Sequence, residues 1–198
     1  MRTPFILLGL SVFLVSCTQN PRLVENPDPN HTHADFAVWV SGKQIDFSAD
    51  KFMSGLSTDD STHDEEHEYL HEHLHLHDNV GHVIHRHKPG TSLFDFFWSL
   101  GVTLRPNCLT LDEGHSFCND DTSTWRMFVN GKETDFNPAY HFEDLDQILL
   151  TYGDSEEAIQ EQLGKLTDDA CLYSKRCPWR GDPPVENCIA DPSIPCVE

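Results

Sequence analysis

The sequence predicts an α+β fold, a β-grasp-like mixed sheet packed on one main helix, with a peripheral C-terminal helix and a disulfide-rich tail. Three observations carry this expectation. Two stretches alternate apolar and polar residues with period two around a turn, so each reads as a β-hairpin. One later segment repeats its apolar residues at helical spacing between Pro89-Gly90 and Gly101. Further strand-like runs follow that helix, giving the order hairpin, hairpin, helix, strands.

The chain begins as an exported protein would. Arg2 precedes the apolar run FILLGLSVFLV, Phe5 to Val15, and then Ser16 and Cys17. A basic start, a short apolar stretch and a small residue before a cut describe a secretory leader. The run is too short for a comfortable membrane span. LVSC has the form of a bacterial lipobox, so residues 1–16 are expected as a signal peptide and Cys17 as a lipidated first residue. Residues 17–30, rich in Pro and Asn, read as an extended tether.

Residues 31–153 are expected to form the main domain. Asp35 to Ser48, DFAVWVSGKQIDFS, reads as a hairpin about Ser-Gly-Lys, with Phe36, Val38 and Val40 facing one way. Residues 57–72 read as an acidic, His-rich insertion. His63, His67 and His71 are spaced by four and would align on a helix, yet few apolar residues accompany them, so a solvated, partly helical segment is expected.

The stretch from His71 to His87, HEHLHLHDNVGHVIHRH, holds seven of the chain's thirteen histidines. A three-residue loop Asn79-Val80-Gly81, with Gly81 left-handed in a G1 bulge, fixes a register. His77 then opposes Val83, His75 opposes His85, and His73 opposes His87. Residues at i and i+2 share a face, and directly opposed Cβ atoms lie about 5 Å apart. His73, His75, His77, His85 and His87 would thus project from the outer face, while Leu74, Leu76 and Ile84 face the core. Loops one residue shorter or longer would scatter the histidines over both faces.

Beyond it, Thr91 or Ser92 would cap a helix whose buried face holds Leu93, Phe94, Phe97, Trp98 and Leu100. VTLRPNCLTLDEGHSFC reads as strand and turn, TWRMFVNGKET as a strand with an Asn-Gly turn, and DLDQILLTYGD as a central strand. Residues 154–198 hold a polar helix, SEEAIQEQLGKL, and a Cys- and Pro-rich tail. Six cysteines remain after Cys17. An even number in an exported chain suggests disulfides, and six allow fifteen pairings. Sequence neighbours give the simplest set: Cys108–Cys118, Cys171–Cys177 and Cys188–Cys196.

The charge narrows the function. Thirteen Lys and Arg against thirty-three Asp and Glu give a net charge of −20, which argues against a nucleic-acid partner. Clustered neutral imidazoles suit Zn²⁺, Cu²⁺ or Ni²⁺, with Zn²⁺ or Cu²⁺ the expected ion. The second His-x-His, His31 and His33, would lie across the hairpin, so the expected ligand set is His31, His33, His75, His77, His85 and His87. Within it His75, His85 and His87 are the first choice. The acidic surroundings are expected to raise the histidine pKa values in the metal-free protein. His115 and His141 read as surface or loop residues. No HExxH, Gly-x-Ser-x-Gly, phosphate-binding loop or CxxC is present, and methionine is limited to Met1, Met53 and Met127. Asp35 and Asp78 are the candidate acid–base groups if the site is catalytic. The expected function is an extracytoplasmic lipoprotein that captures or buffers a divalent metal. Its expected partners are the membrane, through the lipid, and a metal transporter or other envelope protein. The alternative is a metal-dependent or thiol–disulfide enzyme of the cell envelope.

The segments HTHADFAVWVSGKQIDFS, HLHDNVGHVIHRHKPGTSLFDFFWSLGVTL, CLTL, MFVNGKE and DLDQILLTYGD together resemble a family of small exported His-rich proteins, some of which carry a protein-disulfide isomerase label. The resemblance spans roughly Asn30 to Asp154 and rests on H-x-H-A-D-F, H-L-H-D and V-I-H-x-H, matched by His31, His33, Asp35, His75, His77, Asp78, His85 and His87. The insertion at 57–72 stands outside it. An isomerase would need a CxxC pair, which this chain lacks.

Overall fold

A computed structural model of the chain describes residues 22–53, 73–111 and 114–184. The expectations for the leader and Cys17, for the insertion with His63, His67 and His71, and for Cys188–Cys196 fall outside them. The fold is α+β. Its main sheet runs β3-β4-β1-β10-β8-β9, with β2 paired on β1. In chain order the strands are β1 Thr32–Val40, β2 Lys43–Gln44, β3 Leu74–His75 and β4 Val83–Arg86, followed by β5 Thr103–Arg105, β6 Cys108–Thr110, β7 Ser116–Cys118, β8 Trp125–Val129, β9 Lys132–Thr134 and β10 Gln147–Tyr152. Among the described residues the α-helices are α1 Leu93–Ser99, α2 Glu156–Leu163 and the single turn α3 Ala170–Tyr173. Strands β5, β6 and β7 form a separate small sheet, and Cys108 and Cys118 face each other across it at disulfide distance. Among the described residues no helix is long and apolar enough to cross a membrane.

The first hairpin forms as its sequence requires. Ser41 (φ 48°) and Gly42 (φ 79°) make a two-residue turn with both central residues left-handed, and Val40 pairs with Lys43. β1 then lies in the middle of the sheet, antiparallel to β4 and parallel to β10. Such a strand is covered on both sides. Ala34, Phe36 and Val38 enter the main core, while Ala37 and Trp39 pack on the opposite face with Leu149 and Ile159. The polar helix α2 therefore covers part of the sheet through Ile159.

Helix α1 fills the main core. Ser92 caps it in a box with Asp95, and Gly101 follows its end at φ 72°. Its buried apolar residues are Leu93, Phe96 and Phe97, and Phe96 meets Phe36 edge to face at 5.0 Å. Phe94 and Trp98, expected in the core, instead stack on each other at 6.2 Å, with Phe94 exposed. In a helix starting at Leu93, residues 96 and 97 complete the inward stripe, and 94 and 98 fall beside it.

The His-rich hairpin has the expected register but a different turn. Leu74 pairs with Arg86 and His75 with His85, and the His87 N–H donates to the His73 carbonyl at 2.8 Å. Leu74, Leu76 and Ile84 are in the core. The left-handed residues are Asp78 (φ 54°) and Asn79 (φ 58°), and the Val80 N–H closes on the His77 carbonyl at 3.0 Å. Gly81 is not left-handed. It is needed because a Cβ there would lie 2.3 Å from Ser48 N and 2.4 Å from the Phe47 carbonyl carbon.

Candidate metal centre

Register builds the site. His75 pairs with His85, and His85 with His33 of β1, so three imidazoles form one row across β3, β4 and β1. One step outward, the same registers bring His87 beside His31, whose rings stack at 4.0 Å. One step inward they align His77, Val83 and Asp35. The ring centroids close a loop: His31 to His33 4.6 Å, His33 to His85 4.7 Å, His85 to His77 3.9 Å, His77 to His75 5.7 Å and His75 to His87 5.1 Å. Within it, one nitrogen from each of His31, His33 and His85 lies within 4.8 Å of the other two, a group able to hold a metal ion. These three converge, rather than the His75, His85 and His87 set that was the first choice.

This face is not the outer face that the hairpin alone suggested. His33, His75, His77 and His85 are all buried. The cover is the segment around α3. Tyr173 meets the His33 ring at 5.5 Å and the His85 ring edge-on at 4.9 Å. Ala170 and Tyr173 pack on Val83. Asp35 fastens the cover. Its Oδ1 accepts from Thr167 Oγ1 at 2.5 Å and Asp169 N–H at 2.9 Å, and its Oδ2 accepts from Ala170 N–H at 3.0 Å. His82 Nε2 lies 3.1 Å from Asp169 Oδ2. Cys171 and Cys177 lie at disulfide distance and close the segment.

Both carboxylates expected as acid–base groups are thus engaged in hydrogen bonds. Burial pushes the Asp35 carboxyl up from its ordinary range, against the pull of its three donors. Asp78 Oδ2 lies 2.8 Å from His77 Nδ1.

The second nitrogen of His77 is also engaged. Nε2 lies 3.1 Å from His85 Nδ1. His77 therefore lies behind His85 and uses both ring nitrogens there. His33 Nδ1 lies 2.8 Å from Ser174 Oγ, which donates to Asp144 Oδ1 at 2.5 Å. Asp144 also accepts from the His33 N–H at 3.2 Å, Asn26 Nδ2 at 3.1 Å and Arg176 Nη1 at 3.0 Å. The expected tether is thereby fixed in part: Asn26 holds Asp144, and Val24 N–H donates to the Arg176 carbonyl at 2.9 Å.

The expected rise in histidine pKa is reversed at the centre. His85 is held well below its ordinary value, first by burial and then by the neighbouring rings of His33, His77, His75 and His31. The acidic residues that dominate the net charge do not outweigh that burial. A neutral imidazole is the form that ligates. His85 Nε2 is buried and makes no hydrogen bond among the described residues. His115 and His141 are exposed, as expected, and the latter's Nδ1 lies 3.2 Å from the Thr91 carbonyl.

Sequence reasoning missed Asp144, Tyr173 and Ser174. No motif marks them, and more than 100 residues separate them from His33. Comparison of the chain with protein-family models, curated proteins and solved structures finds no match.

Proposed function

We propose that this chain is an extracytoplasmic metal-binding protein that captures or buffers Zn²⁺ or Cu²⁺ through His31, His33 and His85. One observation carries the reading: three imidazole nitrogens converge within 4.8 Å, and His85 among them is buried in its neutral form. A set of three imidazoles with no thiolate suits either ion. His75 and His87 are close enough in the ring array to complete a coordination sphere if a rotamer changes. The use of both Asp35 oxygens to hold the covering segment favours binding over hydrolysis.

The lipobox around Cys17 supports anchoring at a membrane surface, with residues beyond it facing the periplasm or exterior. A transporter or another envelope protein would then receive the ion. The parallel β1–β10 pair beside α1 supports reading the frame as β-grasp-like, and the His-x-His motifs support the resemblance to small exported His-rich proteins.

Elemental analysis and metal titration of the purified protein test the reading. About one ion per chain is expected. His33→Ala and His85→Ala should abolish tight binding, and His115→Ala and His141→Ala should leave it unchanged. Equal, slight weakening by all four would show a diffuse chelating surface instead.

A further inference from the structure

The hydrogen bonds behind two of the histidines determine where their protons sit. Asp144 is a carboxylate surrounded by donors, so it can only accept. Ser174 has a single hydroxyl hydrogen and directs it to Asp144 Oδ1 at 2.5 Å. Its oxygen must then accept from His33 Nδ1 at 2.8 Å. The His33 proton is on Nδ1, and Nε2 carries the lone pair.

The same logic runs from the other side of the array. Asp78 accepts from His77 Nδ1 at 2.8 Å. In a neutral ring that leaves His77 Nε2 as an acceptor. Its neighbour at 3.1 Å is His85 Nδ1, which must therefore donate. The proton of His85 is also on Nδ1, and its lone pair is on the buried Nε2 that has no hydrogen-bond partner among the described residues.

We propose that Asp144–Ser174 and Asp78–His77 are two relays that hold His33 and His85 as Nδ1–H tautomers, presenting both Nε2 atoms to the metal. The proposal rests on the metal-binding reading and adds four positioning residues to it. It also moves His77 from the expected ligand set to a supporting role. The relays terminate in two carboxylates outside the imidazole array, so negative charge stands behind the ligands of a divalent ion. Second partners of this kind raise the basicity of a ligating imidazole and fix its ring, and their removal typically lowers affinity about 10–100-fold.

Long-range ¹H–¹⁵N correlation spectra of the metal-free wild-type protein give the first readout. His33 and His85 should each show an unprotonated Nε2 and a protonated Nδ1; an Nε2–H form of either would overturn the proposal, whatever the metal affinity. Affinity and coordination give the second. Ser174→Ala and His77→Leu should weaken Cu²⁺ binding about 10–100-fold. Ser174→Thr keeps the hydroxyl, and His77→Gln keeps an acceptor for His85, so both should bind within a few-fold of wild type. Pulsed EPR of the Cu²⁺ form should count the same number of coordinated imidazoles in wild type and His77→Gln. One imidazole fewer in His77→Gln would make His77 a ligand and overturn its role as a relay. Wild-type affinity in both Ser174→Ala and His77→Leu would show that the relays do not act on the metal. Absence of Cu²⁺ and Zn²⁺ binding by wild type, with the expected tautomers present, would overturn the metal reading itself and with it the purpose assigned to the relays.

Discussion

Asp35→Ala should detach the cover from the histidine face. The carboxylate takes three hydrogen bonds from the segment that leads into α3, two from backbone N–H groups and one from the Thr167 hydroxyl. Hydrogen bonds to a charged group contribute about 1.5–3 kcal/mol each, and they are not additive when one acceptor serves all three. Removing a buried acceptor leaves its donors unsatisfied, so the expected cost is about 3–5 kcal/mol. Asp35→Asn keeps one oxygen for Thr167 and Asp169 but sets its amide against the Ala170 N–H, and should cost about 1.5–3 kcal/mol. With a urea slope of about 2 kcal/mol/M, the alanine variant's midpoint falls by about 1.5–2.5 M. Amide exchange at Asp169 and Ala170 should accelerate in the same variant. A midpoint shift below about 0.5 M, with those amides still protected, would refute the tie. Unchanged stability together with loss of a metal-dependent turnover would restore Asp35 as an acid–base group.

Three further outcomes follow from the same geometry. Metal-free protein should lose stability as pH falls below about 6.5: unfolded His85 protonates near that value, whereas folded His85 stays neutral until well below it, so the unfolded state binds more protons in between. Thermal melts between pH 7.5 and 5.5 check this, and a flat profile would contradict the buried neutral ring. Cys171→Ser/Cys177→Ser should cost about 2–3 kcal/mol and also weaken metal binding, because Ser174 and Tyr173 lie within the closed segment, whereas Cys108→Ser/Cys118→Ser should cost a similar amount and leave the affinity unchanged. Gly81→Ala should destabilise by about 3 kcal/mol, as Phe47 and Ser48 backbone atoms occupy the Cβ position. Gly81→Asn should be at least as harmful; tolerance of Asn, shown by an unshifted denaturation midpoint, would indicate a left-handed residue in open space.

That last pair of variants shows how far the sequence could be read. The pairing of His75 with His85 was legible because alternation with period two limits the register to those that separate the imidazoles from Leu74, Leu76 and Ile84, and a short loop about Asn79 selects one of them. The turn was not, because two explanations of a glycine compete: left-handed backbone and close approach. The sequence suggested the first at Gly81, and the position of Phe47 selects the second. His33 was legible as a ligand candidate from His-Thr-His, although its place inside β1, directly opposite His85, depends on a long-range pairing that no local pattern encodes. Burial of the site was not legible either. A hairpin face on which Val83 is the apolar residue among histidines reads as solvent-exposed, and here it is covered by Tyr173 and Ala170, which carry no signal of their destination. The reversed His85 pKa follows from that cover, since composition reports net charge and not desolvation.

The contact between His33 and Ser174 has a consequence in time. It joins residues 141 positions apart, near opposite ends of the described chain. Contacts of such span carry the largest loop-closure cost before neighbouring pairings shorten the effective loop, and they therefore tend to form late. The hairpin histidines can meet early, within a few residues of one another, but the ring that Ser174 orients waits for the central sheet and for the tail to fold back. An ion held by the completed set would act chiefly on the finished protein, stabilising it in proportion to the logarithm of free metal once that concentration exceeds the dissociation constant. Tight occupancy would then report that the segment around α3 had docked.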